Sequence, residues 1–172
     1  MNALFVRLDA EIVKIREELE RVTQSHAKSE NTQRQAPNFY DEWAHKASIA
    51  NGLHCVYTKI ESILEDVAAA FEGELPKGDA YNMKLLAQMT LQMPGKRPPL
   101  LSEATREVLD NLRAFRHVAR VHYPFDLKMP LVLKNLKAAP EAISSFVADY
   151  EKFRDFMLEP SIDNDGGGDS PP

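Results

Sequence analysis

Residues 39–71 read FYDEWAHKASIANGLHCVYTKIESILEDVAAAF, and the fold class turns on their spacing. Phe39, Trp43, Ala47, Ala50, Leu53, Tyr57, Ile60, Leu64, Val67 and Phe71 recur every three to four residues, which places them along one stripe of a helix. Asn38 precedes the stripe and suits an N-cap, because its side chain can accept a bond from an orphan amide of the first turn. Gly73 and Pro76 follow it: glycine takes the left-handed C-cap conformation, and proline cannot continue the ladder.

Upstream, Leu4, Leu8, Ile12, Ile15, Leu19 and Val22 form a similar stripe, opposite a solvated face of Glu11, Lys14, Glu17, Glu18 and Arg21. From about Ser25 to Asn38 the chain turns polar and reaches Pro37, so this first helix is expected to fray into a connector there. Downstream, Asp79 can cap a third helix that buries Met83, Leu86, Ala87 and Leu91, followed by a stiff basic loop from Pro94 to Pro99. Ser102 is the expected cap of a fourth helix, with Glu103 at its positive end. Its apolar positions are Val108, Leu109, Leu112, Phe115, Val118 and Ala119, and Pro124 closes it. Leu131–Leu136 predicts a turn or two of helix. Pro140 then opens a last helix with Ile143, Phe146, Val147, Tyr150, Phe153 and Met157 on its core side. After Pro160 the composition is that of a disordered tail. No segment alternates apolar and polar as a half-buried strand does. The expected fold is all-α: an antiparallel helical bundle with long first and second helices, spanning residues 1–158, with a tail at 159–172.

A chain of 172 residues, 44% hydrophobic and 27% charged, has the balance of one globular domain. Its net charge of −5 excludes indiscriminate nucleic-acid binding driven by overall charge, and leaves room for a local basic site. A lone cysteine, Cys55, has no internal disulfide partner and fits a reducing compartment. The first residues carry no secretory layout, and no apolar run approaches a membrane span, so a cytoplasmic protein is expected.

Chemistry concentrates between Arg113 and Tyr123. Arg113, Arg116, Arg120 and Tyr123 are spaced three, four and three apart and share one helix face, flanked by His117 and His122. An arginine fork matches phosphate oxygens, and a histidine moves protons near neutral pH. Together they are the minimum for metal-free RNA cleavage: a base for the 2′-hydroxyl, an acid for the leaving oxygen, and a cation for the phosphorane. The plain alternative is a surface helix whose C-terminal cations complement the macrodipole. Other constellations carry less. His54 and Cys55 are adjacent and diverge on a helix, which suggests core packing. Glu42 and His45 have a di-iron spacing that such bundles need twice and this chain shows once. Trp43, Tyr57 and Phe71 suggest core, and Lys96-Arg97 a solvated loop. No Gly-rich phosphate loop, zinc-finger spacing or nucleophilic triad is present.

The run from Leu112 to Leu127, LRAFRHVARVHYPFDL, resembles the signature segment of HepT-like ribonuclease toxins, a branch of the HEPN superfamily. Tyr57–Leu64, Leu75–Gly78 leading into Leu85–Met89, and Arg97–Ser102 resemble the same branch, and the likeness covers roughly residues 4 to 158. The resemblance implies a helical bundle that dimerises and acts as a metal-independent RNase without a cofactor. Each subunit would offer an arginine and a histidine to one cleft, cutting RNA as the toxin of a toxin–antitoxin pair. It assigns Arg116 to the motif arginine, His117 to the polar residue after it, His122 to the histidine and Tyr123 to the tyrosine. Arg113 and Arg120 would bind RNA. The implied partner is a nucleotidyltransferase-type antitoxin, and Tyr123 would be the acceptor if AMP is transferred. The usual histidine place, five after the arginine, holds Val121. His122, one residue later, is rotated by about 100° on an ideal helix. Two readings follow: the last turn unwinds before Pro124 and restores the geometry, or the chain is an RNA-binding or scaffold subunit with weakened cleavage. A helical adaptor for a protein partner, using the first hairpin, is a third.

Overall fold

The computed structural model describes residues 2–35, 39–121 and 127–159. Pro37 and the Asn38 cap, His122, Tyr123, Pro124 and the tail from Pro160 onward lie outside the described residues. The described chain forms five helices: α1 (Asn2–Gln35), α2 (Phe39–Phe71), α3 (Tyr81–Met89), α4 (Glu103–Val121) and α5 (Met129–Leu158). No described residue belongs to a strand, and no described helix is long and apolar enough to cross a membrane.

Cross-helix pairs fix the directions. Arg7 meets Asp66 at 2.9 Å, Glu11 meets Lys59 at 3.5 Å and His26 meets His45 at 3.0 Å. Rising numbers on α1 meet falling numbers on α2, so the two are antiparallel, as expected. A Cβ at Gly52 would lie 2.0 Å from Val22 Cγ2, so glycine is what lets α1 and α2 approach this closely. α1 and α4 each pack on α2 and α5 and not on one another, so α2 and α5 form the shared diagonal of the bundle. That central place explains why α2 buries Val56, Ile63 and Ala68 in addition to the stripe read from its periodicity. Phe5, Phe71 and Phe153 close one end, with ring centroids 5.9 to 6.4 Å apart. α2 ends at Gly73, whose positive φ of 77° lets its N–H reach the Ala68 carbonyl at 3.1 Å.

Four local expectations need correction. α1 does not fray at Ser25 but runs to Gln35. Side-chain bonds one turn apart, Gln24 to Glu20 and Thr23 to the Leu19 carbonyl, support it, and His26 docks it on α2. Asp79 does not cap α3; Ala80 holds that place in the left-handed region, with φ 59° and no side-chain cap bond. The helix therefore starts out of the expected phase, burying Leu85, Leu86 and Met89 while Met83, Ala87 and Leu91 face outward. Residues 129–158 form one helix rather than two. Pro130 occupies its first turn, and Pro140 lies inside it, its missing N–H costing one rung while Val132, Leu136, Ala139 and Ile143 hold both sides in the core. Arg97 is not on a solvated loop: its side chain is fully buried against Glu72, at 2.5 Å.

The His26 and His45 rings stack, with centroids 5.1 Å apart, and share a hydrogen bond that needs at least one imidazole lone pair. Burial, then the neighbouring His26, holds the His45 pKa below the usual 6.5. His54 is shifted the same way, by burial and then by Arg116 and Arg120. The unfolded chain therefore takes up these protons before the folded one does, and stability present above about pH 6.5 is lost as pH falls toward the depressed folded values. Glu61, held above its ordinary 4.5 by burial, works with the opposite sign in a window that begins lower. Thermal melts at about pH 7.5 and about pH 5 should show the Tm dropping, and the drop should shrink in His45→Asn. The same pH dependence in both proteins would refute the role given to this pair.

Candidate nucleic-acid interface

Ser102 caps α4 as expected, its Oγ accepting the Thr105 N–H at 3.2 Å, while its own N–H donates to Asp149 of α5 at 2.7 Å. Leu109, Leu112 and Phe115 drive into the core and set the roll of the helix. Arg113, Arg116, His117 and Arg120 are thereby turned to a cavity of about 520 Å³. Its other walls are Glu61 and Glu65 of α2 and the stretch from Ala80 to Met83 at the start of α3. A second cavity, about 560 Å³ between α1 and α5, sets Leu19, Pro140, Ile143 and Val147 beside Arg16, Glu20 and Glu151, with no histidine and one arginine in its lining.

The four α4 residues are held differently. Arg116 is pinned: Nη2 reaches Glu61 Oε2 at 3.0 Å, Nε donates to Thr58 Oγ1 at 3.3 Å, and the guanidinium lies 6.0 Å from the Tyr57 ring centroid. Arg113 is tied to Asp110 one turn back, at 2.6 Å. Among the described residues Arg120 and His117 make no ion pair or hydrogen bond, and both are exposed. Glu61 is itself 7% exposed, and burial raises its pKa even though Arg116 pulls the other way. Tyr81 donates to Glu65 at 2.8 Å, and its own pKa is pushed up to about 12 by burial and then by that bond. Beside Arg120, on the far side from this cavity, His54 lines a smaller one of about 220 Å³ with Asn51 and Ala119. Burial, then Arg116 and Arg120, lower its pKa and so favour the neutral imidazole.

Residues 48–157, from the third turn of α2 to the end of α5, match the family described as HepT-like protein. The chain belongs to the HepT-like family, within the HEPN superfamily. It matches no curated protein and no solved structure.

Within this HepT-like chain, the residues singled out on α4 do come together. Arg113, Arg116, His117 and Arg120 line one cavity; His122 and Tyr123 lie outside the described residues. The opposing wall was missed by reading α4 alone. Glu61 and Glu65 are four apart on α2, in line with Thr58 and His54, and that polar row beside the Tyr57–Leu64 stripe was the available signal. His54 is half-buried at a cavity wall, not packed in the core as its neighbourhood suggested. Carboxylates of α2, Glu61 and Glu65, share this cavity with the arginines of α4. Glu42, of the Glu-x-x-His pair, is exposed while His45 is buried, and no group of three or more potential metal ligands is gathered among the described residues.

Proposed function

We propose that this HepT-like chain is a metal-independent endoribonuclease, the toxin of a toxin–antitoxin pair, and that a second copy completes its cleft. The supporting observation is the convergence of Arg113, Arg116, His117 and Arg120 on one polar cavity, with Arg116 fixed from behind by Glu61 and Thr58. In this reading the 2′-hydroxyl of RNA attacks the adjacent phosphorus, the bond to the 5′-oxygen breaks, and a 2′,3′-cyclic phosphate remains. Arg116 stabilises the phosphorane charge through the N–H groups that Glu61 and Thr58 leave over. His122 carries the main proton transfer, with His117 beside it, and the two-fold copy supplies the second acid–base group that one helix lacks. Arg113 and Arg120 hold flanking phosphates. A nucleotidyltransferase antitoxin is the partner proposed, and adenylation of Tyr123 would add charge and bulk that repel RNA. The proposal takes residues 1–158 as the working domain, 159–172 as a tail, and the cytoplasm as its place of action.

A second reading, an RNA-binding or scaffold protein working with that partner but without cleavage, is favoured by Val121, which ends α4 at the fifth place after Arg116. One experiment separates the two. Purified protein should behave by light scattering as a dimer of 19.4 kDa chains and should cut RNA in EDTA. A folded, dimeric protein that binds RNA but leaves it intact would favour the scaffold; a folded monomer at micromolar concentration would remove the shared cleft.

A further inference from the structure

The cavity between α2, α3 and α4 has two chemically opposite walls. α4 presents Arg113, Arg116 and Arg120, while α2 and the first turn of α3 present Glu61, Glu65, Tyr81 and Asn82. A simple phosphate site has no use for two carboxylates, since they repel the anion. The matching ligand carries negative charge at one end and hydrogen-bond donors at the other. We propose that this cavity is a nucleotide subsite, in which Glu65 and Asn82 take the edge of a guanine base while Arg120 and its neighbours on α4 hold the attached phosphate. The proposal rests on the ribonuclease reading for its purpose, naming the base beside the scissile bond.

A cavity of about 520 Å³ is in the size class of small-ligand sites. Arg120, exposed and without an ion pair among the described residues, is available to an anion. The Tyr81 hydroxyl donates to Glu65 Oε1 at 2.8 Å, which fixes the carboxylate and leaves its second oxygen and a further lone pair of the first as acceptors. Glu61 has one oxygen engaged by Arg116 and likewise keeps acceptor capacity. Among the four RNA bases, guanine alone offers two adjacent donors, N1–H and N2–H, on its Watson–Crick edge, the pattern that a carboxylate accepts side by side. Adenine and cytosine set one donor next to an acceptor that faces the carboxylate, and uracil flanks its single N–H with two carbonyls. Asn82, with both an acceptor and donors, can complete recognition of the guanine edge. Tyr81, at the same wall, gives the base an aromatic neighbour.

The test uses the full chain and four probes, the 3′-monophosphates of guanosine, adenosine, cytidine and uridine, with affinities read by calorimetry. Guanosine 3′-monophosphate should bind about tenfold tighter than the others. Glu65→Gln should bring the four within about twofold of one another, and Arg120→Ala should weaken all four alike. Asn82→Ala, a change in the first turn of α3, should also narrow the preference and serves if Glu65→Gln does not fold. Equal binding of all four by the native chain, binding no better than inorganic phosphate, or a guanine preference that survives both variants would overturn the subsite. The readout needs no cleavage. A guanine preference in a protein that never cuts RNA would sustain the subsite and remove the ribonuclease, and cutting without any preference would do the reverse.

Discussion

Replacing Arg97 with alanine should cost about 3–5 kcal/mol of folding stability. The guanidinium is buried, and it meets Glu72 at the end of α2 through Nη2 at 2.5 Å and Nε at 2.9 Å. Its remaining donors go to the carbonyls of Leu91 and Pro98 from Nη1 and of Gln88 from Nη2, each at 3.0 Å. One side chain thus ties the end of α2, the end of α3 and its own loop together. Alanine would leave a carboxylate with 4% of its side chain exposed facing no cation, and would take their donor from the Leu91 and Pro98 carbonyls, while the Gln88 carbonyl keeps the Leu91 N–H at 3.2 Å. Because a domain of this size holds about 5–15 kcal/mol in all, the variant should be poorly folded at physiological temperature. Arg97→Met with Glu72→Gln should recover only part of the loss, since the carbonyls stay unpaired. Urea unfolding is the check, and a loss below about 1 kcal/mol for Arg97→Ala would show that the clamp is not buried in solution.

Arg97 also marks the limit of what the sequence shows. Lys96-Arg97 between prolines has the local composition of a solvated loop, and nothing nearby announces that Glu72, 25 residues earlier, waits as its partner. Helix existence was legible because apolar residues recur at helical spacing over long stretches, as on α2 and α4. The Ser102 cap of α4 and the Gly73 stop of α2 were legible too, but the ends of α1, α3 and α5 were not, because tertiary packing overrode the local signals. Pro140 is carried inside α5 by the buried residues on both sides of it, and α1 continues past Ser25 because His26 docks on His45. For the site, the α4 arginines were legible as one face, since three-four spacing on a helix fixes direction. Their roll toward α2 rather than solvent, and so the roles of Glu61, Thr58 and His54, depended on which of five helices α4 meets.

Arg116→Ala should lower RNA cleavage by about 10²–10³, the scale of removing one preorganised donor from a site of developing negative charge. Arg116→Lys should not restore it. A lysine is a point charge, and it cannot bond Glu61 and Thr58 on one side while presenting further N–H groups on the other, as the planar fork does. Thermal melts should show both variants folded, since Leu109, Leu112 and Phe115 make the core contacts of the helix, with the alanine variant melting lower because buried Glu61 loses its cation. His122→Ala should lower the rate by about 10²–10⁴ if that histidine performs the proton transfer proposed for it. Full activity in His122→Ala together with an inactive His117→Ala would move the proton-transfer role to His117.

The chemistry at the cut is the most direct measurement. RNA incubated with the native protein in EDTA should give products ending in a 2′,3′-cyclic phosphate. A substrate with a single 2′-deoxy residue at the cut should stay whole, because the nucleophile has been removed. Cleavage that requires added metal and leaves 3′-hydroxyl ends would contradict the arginine–histidine mechanism proposed for the α4 face.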